Sequence, residues 1–95
     1  MIEMVNQQLT VKGAINFDNA ETVYKDGLRL IEQYSNFPLV VDLADLAHGN
    51  TLALAVLVQW LRKTPDAQGL HFKNIPEKMM KIIQSCHLTQ DLKLI

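Results

Sequence analysis

Apolar positions along the chain change their period several times, and each change marks a new element. Leu9, Val11 and Gly13 alternate with Thr10, Lys12 and Ala14. That is the period of a half-buried strand, so residues 9–15 are expected to be extended. Residues 2–5 form a first strand, joined to the second through a turn at Asn6-Gln7-Gln8. Gly13 within the second run predicts a bulge or a close backbone approach. From Asp18 the period lengthens to 3.6: Ala20, Val23, Tyr24, Gly27, Leu28, Ile31 and Tyr34 fall on one face, with Glu21, Lys25, Arg29 and Glu32 opposite. Asp18-x-x-Glu21 predicts a capping-box start to this first helix, and Ser35-Asn36-Phe37-Pro38 its stop.

Leu39-Val40-Val41 is apolar without alternation before Asp42 and Leu43. Such a run predicts a central strand covered on both faces. A second helix begins at Asn50 or Thr51 and extends to Lys63, ahead of Pro65. After Gly69, Leu70 and Phe72 alternate with His71 and Lys73, a fourth strand within residues 70–75. Pro76 suits the first turn of a third helix, whose Met79, Ile82, Ile83 and Cys86 share a face. The apolar residues of the tail, Leu92, Leu94 and Ile95, are expected to fold back onto the core. The order is ββαβαβα, which predicts a single α/β domain over residues 1–95. Strands separated by helices imply parallel neighbours in one four-stranded mixed sheet with three helices.

Composition narrows the function classes. Ninety-five residues, 48% apolar and 20% charged, suit one globular domain with a single core. A formal charge of −1 with scattered basic residues gives no electrostatic footprint for nucleic acid. The longest apolar run, Leu52 to Val58, falls far short of the roughly 20 residues of a membrane span, and no signal-peptide pattern opens the chain. A cytosolic domain without direct membrane insertion is therefore expected. The single cysteine, Cys86, excludes an internal disulfide and is expected to be a reduced core residue.

Candidate chemistry is sparse. His48, His71 and His87 have neither i, i+4 spacing nor cysteine partners in a metal pattern, so no metal site and no cofactor are expected. Asp42 is expected to end its strand by accepting hydrogen bonds from loop amides. His48-Gly49-Asn50-Thr51 lacks the lysine and second glycine of a phosphate loop. The second helix stands out. Ala53, Leu54, Leu57, Val58, Trp60 and Leu61 form a wide core stripe, yet the opposite stripe also starts apolar, at Leu52, Ala55 and Val56, before turning polar at Gln59, Arg62 and Lys63. Leu52 and Val56 border the hydroxyl of Thr51, so Asn50, Thr51, Leu52, Ala55, Val56 and Gln59 are the candidate protein-contact residues. A domain of this mass exposes about 5,500 Å², of which a standard interface takes roughly 800 Å². Either Thr51 caps the helix, or Asn50 does and leaves the Thr51 hydroxyl free.

The strand–loop–helix Val41-Asp42-Leu43-Ala44-Asp45-Leu46-Ala47-His48-Gly49-Asn50-Thr51-Leu52-Ala53-Leu54 and the ββαβαβα order resemble STAS domains, the fold of bacterial anti-sigma-factor antagonists. Thr51 matches the hydroxyl residue of that family's Asp-Ser/Thr-x-Gly turn, Asn50 stands where Asp is usual, and Ala53 replaces the glycine. Within the family, the chain is most similar to the small cytoplasmic subunit of phospholipid-transport ABC complexes of Gram-negative bacteria. The resemblance implies a non-catalytic accessory subunit that binds the ABC-type ATPase subunit of a permease–ATPase complex. It would be peripheral to the inner membrane through that partner and would support maintenance of outer-membrane lipid asymmetry. The contact would lie at Thr51, Leu52 and the adjacent helix surface. The alternative that the family implies is a phospho-switch antagonist with Thr51 as the phosphate acceptor. The substitutions at Asn50 and Ala53 argue against that kinase-dependent role.

Overall fold

The computed structural model describes residues 1–34, 37–64 and 69–95. The elements are β1 (Ile2–Val5), β2 (Gln8–Val11), β3 (Gly13–Ala14), α1 (Ala20–Gln33), β4 (Leu39–Asp42), β5 (Leu46–Ala47), α2 (Thr51–Arg62), β6 (Leu70–Lys73), α3 (Glu77–Ser85) and β7 (Lys93–Leu94). The helix stop expected at Ser35-Asn36 and the boundary at Pro65 lie outside the described residues.

The main sheet has the order β1-β2-β4-β6-β7, with β1 antiparallel to β2 and the other neighbours parallel. Among the described residues it has five strands rather than four. The tail does fold back as expected, and its Lys93 and Leu94 pair with His71 and Phe72 to add an edge strand. Gly13, at φ +83°, breaks the long second strand. The chain beyond it leaves the main sheet and pairs with β5, Gly13 opposite Leu46 and Ala14 opposite Ala47. A residue with a side chain would be strained at that dihedral, which is why the break falls on glycine.

β4 is central, but it is covered on one face only. Leu9, Val11, Leu39, Val41, Leu70 and Phe72 point into one core with Val23 and Ile31 of α1, Ala53, Leu54, Leu57 and Trp60 of α2, and Met79 and Ile83 of α3. All three helices supply the same side. Gln8, Val40, Asp42, His71 and Lys73 lie on the opposite face and are half-buried. Thr10 is the exception there, buried opposite Glu3, whose ion pair with Lys12 (2.7 Å) spans that face.

Asp18 does not cap α1. Asn19 takes the N-cap position. The entry is built by two asparagines instead: Asn16 Oδ1 accepts from the Asp18 and Asn19 amides (2.9 and 3.1 Å), and Asn19 Oδ1 accepts from the Asn16 amide (2.9 Å). A carboxamide donates as well as accepts, and Asn19 Nδ2 also bonds the Ala14 carbonyl at 2.9 Å. An aspartate cannot close the turn from both sides.

Candidate protein-docking site

β3 and β5 run parallel, so the loops that follow them lie side by side and feed the starts of α1 and α2. Asn50 joins the two. Its backbone is extended, and its Oδ1 accepts from the Ala53 amide at 2.7 Å, which makes it the N-cap of α2. Its Nδ2 donates to the Ile15 carbonyl at 2.9 Å and to the His48 carbonyl at 3.3 Å. Only an amide side chain supplies both roles, so the asparagine in place of an aspartate has a local structural cause. Thr51 is thereby left out of the capping network and stands exposed in the first turn. Gly49 lets this loop press onto α3, where a Cβ would come within 2.6 Å of Met79 Cγ.

Asp42 behaves as expected of a strand-end carboxylate. Its Oδ1 accepts from the Ala44 amide at 3.0 Å and from Asn74 Nδ2 at 3.1 Å. The Ala44 N–H foremost, then the Asn74 amide and the Lys73 charge, hold its pKa below the ordinary aspartate range.

The exposed ridge of α2 is Thr51, Ala55, Gln59 and Arg62, four positions at helical spacing. It is rotated away from the stripe that periodicity alone selects. Val56 is buried, 6% exposed, and Leu52 is half-buried. Both precede Trp60 by whole turns and so share the side turned toward α1, where the Trp60 Nε1–H donates to the Tyr24 carbonyl at 2.9 Å. A shallow hollow of 240 Å³ lies between the helices, lined by Tyr24, Ala55, Val56 and Gln59. A second, of 260 Å³, opens on the α3 side and is lined in part by Leu54, Val58, Cys86 and Leu88. Ala55 and Gln59 border both, so the ridge is a low crest of small and polar side chains between two largely apolar grooves.

Of the six contact residues expected from sequence, Thr51, Ala55 and Gln59 are exposed on this crest. Leu52 flanks it, Val56 forms the floor of one groove, and Asn50 is committed to the loop framework. Tyr24 and the α3 wall were invisible to a helical-wheel reading because other elements bring them there. Cys86 is exposed, contrary to a core assignment. It is the C-cap of α3, beyond the last buried position Ile83, and the chain turns away at His87, which has φ +58°. Among the described residues, no group of three or more His, Cys, Asp and Glu side chains is placed to hold a metal ion.

The family model described as "Mlab, STAS domain" matches residues 2–95. The chain belongs to this STAS-domain family. Two solved structures extend the likeness. The STAS domain is 61% identical to a chain of the Acinetobacter MlaFEDB complex in its ATP-bound Vtrans1 conformation, with a TM-score of 0.93 and coverage of 100% of both chains. It matches a chain of the ATP-bound Vtrans2 conformation at 61% identity and a TM-score of 0.94, covering 100% of this chain and 99% of the other. No curated protein sequence matches it. The four-stranded STAS-like mixed sheet expected from the element order is the observed architecture, extended by the β7 edge and the small β3–β5 sheet.

Proposed function

We propose that this STAS domain is the non-catalytic accessory subunit of an MlaFEDB-type phospholipid ABC transporter. It binds the ATPase subunit (MlaF-like) and supports its assembly and activity from the cytoplasmic side, peripheral to the inner membrane. The observation that carries this reading is the match over the whole chain, at 61% identity, to a chain of the ATP-bound MlaFEDB complex. In addition, no described helix is long and apolar enough to cross a membrane, which suits attachment through a partner.

The docking face in this reading is the α2 crest, Thr51, Ala55, Gln59 and Arg62, with Leu52 and Val56 along the α1-side groove. These side chains offer a hydroxyl, a methyl, an amide and a guanidinium, a set suited to shape and hydrogen bonding rather than turnover. The molecule exposes 5545 Å², and a standard interface would use roughly 800 Å² of it, about a seventh.

Affinity purification of the tagged chain from its native cell tests the reading. Recovery of an ABC-type ATPase with its permease is expected. A preparation that retains the folded chain but no such ATPase overturns the proposal.

A further inference from the structure

Phe17 is 93% exposed. Among the described residues, the other exposed large apolar side chains, Met1, Val5 and Ile95, are 47%, 41% and 58% exposed. A phenyl ring left almost wholly in water forgoes the burial that makes aromatic residues stabilising. The loop that carries it is not loose. Phe17 sits at the tip of the Asn16–Asn19 turn, whose ends are closed by the reciprocal asparagine bonds and by the Ala20 amide on the Asn16 carbonyl at 2.9 Å. Asn19 Nδ2 ties the same turn to Ala14. The ring is thus presented on a fixed backbone, the arrangement that lowers the entropy lost on binding.

Its position is equally specific. Two residues before it, the Ile15 carbonyl accepts from Asn50, the cap of α2. Two residues of chain span about 7 Å at most, so Phe17 lies at the same end of the molecule as Thr51. We propose that Phe17 is an aromatic anchor of the docking face, inserting into an apolar pocket of the ATPase subunit beside the region that meets Thr51 and the α2 crest. This rests on the docking proposed above and extends it from one helix to both βα loops. Asn50 then has a second consequence: by bonding Ile15 it holds the anchor in register with the crest.

Titration of the full chain and its variants against the purified ATPase subunit from the same organism tests the inference. Phe17→Ala is expected to weaken binding by at least about tenfold, while Phe17→Leu keeps most of the affinity and Val5→Ala all of it. The thermal midpoint of Phe17→Ala should match the unmodified chain, because the ring covers almost nothing in the fold. Phe17→Ala binding within twofold of the unmodified chain overturns the anchor and leaves the docking proposal standing. Unchanged ATPase affinity with lost binding to phosphatidylglycerol vesicles also overturns it, assigning the ring to lipid. If the unmodified chain itself fails to bind the ATPase, the docking proposal falls and the anchor falls with it.

Discussion

The indole of Trp60 occupies the space that a side chain at Gly27 would need. This is what lets α1 and α2 approach closely enough to bury Val56 and to bring Tyr24 alongside Ala55. Trp60 is fully buried, a contribution on the order of 4–6 kcal/mol by area. The same contact also sets one wall of the proposed docking face.

Gly27→Ala should therefore destabilise the domain even though alanine is the better helix former. Overpacking costs about 1–3 kcal/mol, against a helix-propensity gain of up to about 1 kcal/mol. A net drop in the melting midpoint of several degrees is expected. A midpoint at or above that of the unmodified chain, measured by circular dichroism, contradicts the close packing.

Asn50→Ala removes both the cap and the strut to Ile15, and a loss of about 1–2 kcal/mol is expected. Asn50→Asp keeps the acceptor for the Ala53 amide but loses the donors and sets a carboxylate beside the Ile15 and His48 carbonyls. Its stability should be lower than that of the asparagine form. Urea denaturation distinguishes the cases: an Asp variant as stable as the unmodified chain would show that the Ile15 bond contributes nothing.

Thr51→Asp should leave the isolated domain stable to within about 0.5 kcal/mol, since Asn50 supplies the cap and a negative charge is tolerated at a helix start. Binding to the ATPase subunit should be abolished, because the proposed interface would bury an unpaired charge. Calorimetric melting of the free variant and its titration with the ATPase subunit check the two halves. Unimpaired binding would remove Thr51 from the interface.

Asp42 gives the domain an acid-sensitive link between β4, its following loop and Asn74. Its pKa is lowered in the folded state, chiefly by the Ala44 amide. The stabilisation is therefore complete above the ordinary aspartate value of about 3.9 and disappears as pH falls through the lower folded value. Asp42→Asn should be less stable than the unmodified chain at pH 7, and the difference should shrink below about pH 4. A stability difference independent of pH between 7 and 3 would count against this link.

Cys86, exposed beside the α3-side groove, should react with Ellman's reagent in the native protein without denaturant. Formation of the ATPase complex should slow that reaction, if the partner covers the groove. Reaction only after unfolding would return Cys86 to the core.

The periodicities of the chain were enough to place the three helices, the principal strands and the core residues Leu9, Val11, Val41, Trp60 and Phe72. The reason is that burial against a single core imposes a period of 2 or 3.6 directly on the residues. Local chemistry was partly legible too. Asp42 at a strand end and a cap at Asn50 or Thr51 follow from side-chain type, although type alone left open which of the two did the capping.

What the tertiary structure decided are relationships between segments that no local period encodes. Which face of β4 is covered depends on all three helices packing against one side. Val56 is buried because Gly27 admits Trp60 and draws α1 over it, so the exposed crest of α2 turns toward α3. Asn50 caps, rather than Thr51, because the Ile15 carbonyl from a distant loop accepts its amide. The chain by itself determined the three helices, the principal strands and most of their inward residues. Contacts between residues far apart in sequence decided which outward residues remain free for a partner.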